Sequence, residues 1–120
     1  MGKEVIVCRE SYCAETTQHA RSRLEAPLQA LYGDYQSWKR TSPDAARYRQ
    51  PWEDIVARAV VGSPQQCLDA LGQYAELGAD AVVLRVQPPA LAHADALRCL
   101  DMLGEYVLPE IANLAGDVPR

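Results

Sequence analysis

AVVGSPQQCLDALGQYAELGADAVVLRVQPP, residues 59–89, reads as one strand–helix–strand unit and decides the fold class. Val60 and Val61 suit a short strand and Gly62 a backbone turn. Ser63 followed by Pro64 then opens a helix in N-cap and first-turn order. Gln66, three residues after the cap, completes a capping box. Cys67, Leu68, Leu71, Tyr74 and Ala75 recur at helical spacing, and Gly78 stands where a left-handed C-terminal cap is wanted. A second strand is expected over Ala81 to Val86. Its alternation puts Val82, Leu84 and Val86 on a helix-packed face, and Ala81, Val83, Arg85 and Gln87 on the other.

Upstream, Val5 to Cys8 is β-rich, and a first strand is expected over Glu4 to Glu10. From Ala14 to Arg40 the apolar positions Ala20, Leu24, Leu28, Leu31, Tyr35 and Trp38 keep a helical period, with Thr16 or Thr17 as the cap. Pro27 removes a hydrogen bond and crowds the preceding turn, which predicts a kink there or two shorter helices. Thr41 to Gln50 carries the turn signal Ser42-Pro43-Asp44 and a polar remainder, the pattern of an exposed loop. A short helix follows, with Pro51 in its first turn, Glu53 and Asp54 complementing its dipole, and Ile55 and Val56 facing the core.

Downstream, Pro88 to Ala92 ends the last strand as a loop. Leu97, Leu100, Leu103, Val107 and Ile111 form the stripe of a final helix, kinked or ended by Pro109 near Val107 or Leu108. The tail from Gly116 to Arg120 is expected to be loose.

Strands alternating with helices imply parallel pairing through right-handed crossovers, hence an α/β architecture in one domain spanning residues 1–120. Crossovers that continue in one direction put every helix on one face of three parallel strands. The opposite face then lacks a cover, and in a closed barrel that cover is the barrel's own interior. A complete (β/α)8 barrel takes about 250 residues. A 120-residue chain with three strands therefore reads as a partial (β/α)8 TIM barrel.

The net charge of −4 and pI near 5.1 weigh against nucleic acid or an anionic membrane as partner, because both reward clustered Lys and Arg. No apolar run approaches the roughly 20 residues needed to span a bilayer. The start, MGKEVIVCRE, is too short and too charged for a secretory signal, which points to the cytoplasm. Of the four cysteines, Cys8, Cys13, Cys67 and Cys99, three fall on predicted apolar faces, so reduced and mostly buried thiols are expected. Cys8 and Cys13 have no second close pair to make a zinc site with His19, and no metal is expected. P-loop, dinucleotide, nucleophile-elbow and zinc-protease motifs do not occur.

The run V-V-G-S-P-Q-Q at 60–66, L-R-V-Q-P-P at 84–89, His93 and A-L-R at 96–98 together resemble the C-terminal part of luciferase-like monooxygenases. The resemblance spans nearly the whole chain and is strongest from Ala59 to Pro109. It implies a TIM-barrel enzyme using FMN or the deazaflavin F420 to oxidise a small organic substrate with oxygen or to transfer a hydride. The first five strands, which supply much of the flavin site in that family, have no counterpart here. The chain is therefore expected to be incomplete as an enzyme alone, and to associate with itself or with a complementary N-terminal chain.

In an α/β barrel ligands sit at the C-terminal strand ends, so Glu10 to Tyr12, Gly62-Ser63 and Arg85 to Pro88 are the informative positions. Cofactor contacts are assigned to three residues. Ser63 and the amides after it can receive a phosphate, or simply cap the helix. Arg85 can meet a flavin or anionic substrate, or pair structurally with Glu10. Gln87 can bond a flavin edge, or satisfy the loop backbone. His93 is placed for proton transfer, or is a surface histidine. No catalytic residue is assigned. The rival reading is a non-catalytic α/β interaction module that dimerises through the uncovered sheet face by way of Val5, Val7, Val60 and Val83.

Overall fold

A computed structural model describes residues 4–39 and 52–114. In chain order these form β1 (Ile6–Cys13), α1 (Thr17–Lys39), α2 (Trp52–Arg58), β2 (Val60–Gly62), α3 (Pro64–Glu76), β3 (Ala81–Arg85) and α4 (His93–Met102). A π turn over Leu103–Val107, a 3-10 turn over Leu108–Glu110 and the short α5 (Ile111–Leu114) continue α4. The loop expected at Thr41–Gln50 and the tail from Gly116 lie outside the described residues.

The three strands make one parallel sheet in the order β2–β1–β3. Ser11, Tyr12 and Cys13 pair with Val60, Val61 and Gly62 on one edge of β1. Ile6 to Glu10 pair with Ala81 to Arg85 on the other. This is a three-stranded parallel α/β sheet flanked by helices, and its order corrects one expectation. Placing every helix on one face requires both crossovers to run the same way. The step from β1 to β2 and the step from β2 across β1 to β3 run in opposite directions, so that condition fails.

The central strand is also longer than its β-rich run. It reaches Cys13, three residues past Glu10, because β2 offers ladder partners to Ser11, Tyr12 and Cys13. α1 starts where Thr16 Oγ1 accepts the His19 amide at 3.1 Å, and it runs unbroken through Pro27 rather than dividing there. α3 begins at Ser63, whose hydroxyl accepts the Gln66 amide at 3.3 Å. The expected return bond of a capping box is replaced: the Ser63 amide donates to Thr17 Oγ1 at 3.2 Å, tying α3 to the start of α1. Gly62 lies between them at φ 148°, where an added Cβ would stand 2.6 Å from Gln66 Cβ and 3.0 Å from Thr17 Oγ1. At the other end of α3, Gly78 at φ 98° closes a Schellman pair, its amide bonding Ala75 O and that of Ala79 bonding Tyr74 O.

The core gathers Leu24 and Leu28 of α1, Cys67 and Leu71 of α3, and Cys99 of α4 around Tyr12, Cys13 and Val60. Val82, Leu84 and Val86 pack against it as their alternation predicts. The outward face needs a second correction. Val60 is fully buried, and Val7 lies in register with helix-facing Val82, so neither belongs to an open surface. Ile6, Cys8, Ala81 and Val83 are exposed there, and Val5, just before β1, is exposed as well.

Candidate functional site

β2 is only three residues long and reaches only the last part of β1. Below that level Cys8, Arg9 and Glu10 of β1 face Ile55 and Arg58 of α2, and Ala59 just after it, across a gap. The gap between them is a cleft of about 250 Å³, bordered across β1 by Arg85 of β3.

Glu10 and Arg85 are register partners, so their side chains leave the sheet on the same side. Arg85 Nε meets Glu10 Oε1 at 2.6 Å, the guanidinium half exposed at 53% and the carboxylate nearly covered at 7%. Burial pushes the Glu10 carboxyl above the ordinary glutamate range, and the pull of Arg85 offsets this only in part. Behind the pair, Ser11 Oγ donates to Arg85 O at 3.1 Å, fixing the strand end from which the guanidinium projects. Arg9 turns to α3, where its Nε donates to Tyr74 Oη at 2.7 Å and its guanidinium lies 5.1 Å from the Tyr74 ring centre. Tyr74 in turn donates to Arg58 O, so α2, α3 and β1 meet through one phenol.

The fold is similar to part of a solved monooxygenase. That structure is the monooxygenase RslO1 from Streptomyces bottropensis, with a TM-score of 0.63 at 22% sequence identity. The likeness covers 92% of this chain and 32% of that one, so the chain spans about a third of the monooxygenase's length. No protein-family model matches the chain, and no curated protein matches it.

Of the three residues expected to contact a cofactor, Ser63 stands apart from Arg85. Ser63 follows Gly62, which is paired with Cys13, whereas Arg85 is paired with Glu10 on the opposite edge of β1. Three residues of strand separate the two levels, about 10 Å. At the start of α3 the Ser63 amide goes to Thr17, the Gln66 amide to Ser63 Oγ and the Cys67 amide to Ser63 O, while Pro64 has none. Capping thus takes up nearly all the donors a phosphate would need. Gln87 is exposed beyond the end of β3, and His93 is the exposed first residue of α4. Among the described residues, no group of three or more His, Cys, Asp or Glu is placed to hold a metal ion. No helix among them is long and apolar enough to cross a membrane.

Two features had little signal in the sequence. Asp95 in the first turn of α4 accepts from Arg23 of α1 and from Arg98, and its carbonyl takes the Tyr12 hydroxyl at 2.8 Å. One acidic residue at a helix start predicts a dipole contact, not a junction of three elements. The buried thiols also cluster: the Cys13 amide donates to Cys99 Sγ at 3.3 Å, and Cys67 Sγ lies against Tyr12 O and Gly62 O. The hydrogen bond shared with Cys13 and then burial push the Cys67 thiol up, the same bond lowers Cys13, and burial raises Cys99 to about 11.

Proposed function

We propose that the chain is the C-terminal portion of a luciferase-like, flavin-dependent monooxygenase or oxidoreductase acting on a small organic substrate, and that it is incomplete alone. The observation that carries this is the likeness in fold to one third of a monooxygenase. The sequence resemblance over residues 60–98 supports the luciferase-like type, and with it FMN or the deazaflavin F420 as cofactor; the charged start of the sequence favours the cytoplasm. On this reading Ser63, Arg85 and Gln87 contribute separate contacts to a flavin whose remaining contacts come from a complementary N-terminal chain or a second copy. Bound flavin supplies the redox chemistry; Arg85 supplies a fixed positive charge.

A closed (β/α)8 barrel is the fullest form of this proposal, and it carries a condition. Barrel strands are ordered consecutively, so β2 would have to lie between β1 and β3, whereas here β1 lies between β2 and β3. The open sheet face, with Ile6 and Val83 outward, favours a completing partner on that side.

The test is gel filtration of the chain with FMN or F420, alone and together with the product encoded immediately upstream. Flavin absorbance is expected to travel with the combined assembly. If it travels with neither preparation, and the chain alone runs as a dimer, the non-catalytic dimerisation module replaces the enzyme reading.

A further inference from the structure

The geometry points to the cleft between the end of α2 and the Cys8–Glu10 segment as a subsite for a small oxyanion, the carboxylate or phosphate group of a ligand, received by the guanidinium of Arg85. This goes beyond the flavin reading, since it needs neither a flavin nor a completing chain, and it fails or survives separately.

Arg9 and Arg85 border the cleft with Glu10 as its one carboxylate, in a chain of net charge −4. Arg85 uses Nε on Glu10, and among the described residues its two terminal nitrogens carry no bond. Those nitrogens form the planar fork that matches the spacing of two oxygens on a carboxylate or phosphate. Arg9 bonds only neutral groups, the Tyr74 hydroxyl and the Cys8 carbonyl, so its charge adds to the potential of the cleft without cancellation.

Glu10 then has a positioning role. Buried under the guanidinium, it fixes Arg85 by its Nε edge and leaves the fork outward. Ile55 and Ala59 are the aliphatic residues of the lining, and both are buried. At about 250 Å³ the space suits one charged group of a ligand. Pockets that enclose whole drug-sized molecules run to about 300–1,000 Å³.

Cys8 borders the same cleft and is exposed, while Cys13, Cys67 and Cys99 are buried, so Cys8 is a built-in reporter. The experiment compares alkylation of Cys8 by anionic iodoacetate and by neutral iodoacetamide, located by peptide mass, in the folded chain and in concentrated urea. The iodoacetate-to-iodoacetamide rate ratio is expected to rise about fivefold on folding, as a positive potential of one to two kT at the thiol would produce. Millimolar inorganic phosphate or acetate is expected to abolish the rise, and whichever acts at the lower concentration names the preferred group. Chloride at equal ionic strength is the control for simple screening.

Arg85→Lys keeps a charge above Glu10 but removes the fork, and it is expected to lose the protection by phosphate or acetate while the circular dichroism spectrum stays that of the parent. If Arg85→Lys unfolds the chain, Glu10→Gln/Arg85→Gln removes the pair together, and the same loss is expected. An equal rate ratio in the folded and urea-treated chain overturns the proposal. So does protection by chloride as strong as that by phosphate and acetate.

Discussion

The two halves of β1 have different surroundings. From Ile6 to Arg9 successive residues alternate between exposed and half-buried, paired only with β3; from Glu10 to Cys13 every residue is buried. The second half is held by β2, by Cys67 and Cys99, and by the Tyr12 hydroxyl on α4. The same strand is thus finished core at one end and an uncovered sheet face at the other. Stability should be concentrated at the Cys13 end and binding at the Glu10 end, with Glu10 at the boundary.

The sharpest way to break this contrast is to empty the covered end. Leu24 is fully buried in the cluster that includes Cys13, and Leu24→Ala is expected to cost about 3 kcal/mol in urea unfolding, through lost transfer energy and the cavity left behind. Gly62→Ala should cost somewhat less, about 2 kcal/mol, because φ 148° strains an L-residue and the new Cβ meets Gln66 Cβ at 2.6 Å. A loss below about 0.5 kcal/mol in either variant, the ordinary scale of surface changes, would remove the distinction between the two ends.

At the boundary the expected effect is smaller and depends on pH. Burial raises the Glu10 pKa, so the folded chain holds that proton more tightly than the unfolded chain does. Ionised Glu10 therefore weighs against folding at neutral pH, and the penalty fades as pH falls toward 4.5. Glu10→Gln should be the more stable form at pH 7, with the gap narrowing in acid when both forms are unfolded by urea at each pH. The opposite sign would mean that Arg85 attracts the carboxylate more than burial penalises it. The smallest effect belongs to the outward face: Val83→Ser, at a half-exposed position, should shift the unfolding midpoint by less than about 0.5 kcal/mol. It should nevertheless weaken any association that uses that face, as read by sedimentation.

What the sequence made legible was local. Ser63-Pro64 at the start of α3 and Gly78 at its end are signals whose physics is complete within four or five residues, and both were met. The alternation of Val82, Leu84 and Val86 against Arg85 was equally readable, and so was Glu10 as one of two partners for Arg85. The strand order was not, because no residue within β1 states which strand takes which edge. The capping box failed at one bond for the same reason, as Thr17 reached the Ser63 amide first. Separating Ser63 from Arg85 likewise required the register of β1, which assigns them to different levels and different edges. At Pro27 the division into two helices is excluded, since α1 continues through it with Leu24 and Leu28 buried on either side.

The central place of β1 also shapes how the chain must assemble. Its first pairing partner ends the long segment that follows α1, and its contact with β3 brings together Val5 and Asp80, 75 residues apart. β1 precedes both of these partners in the chain, and β2 can fill one of its edges before β3 reaches the other. Closing so large a loop is slow, and unpaired apolar strands recruit other chains. Until β3 is in place, the edge of β1 that it fills is therefore open to pairing with another chain.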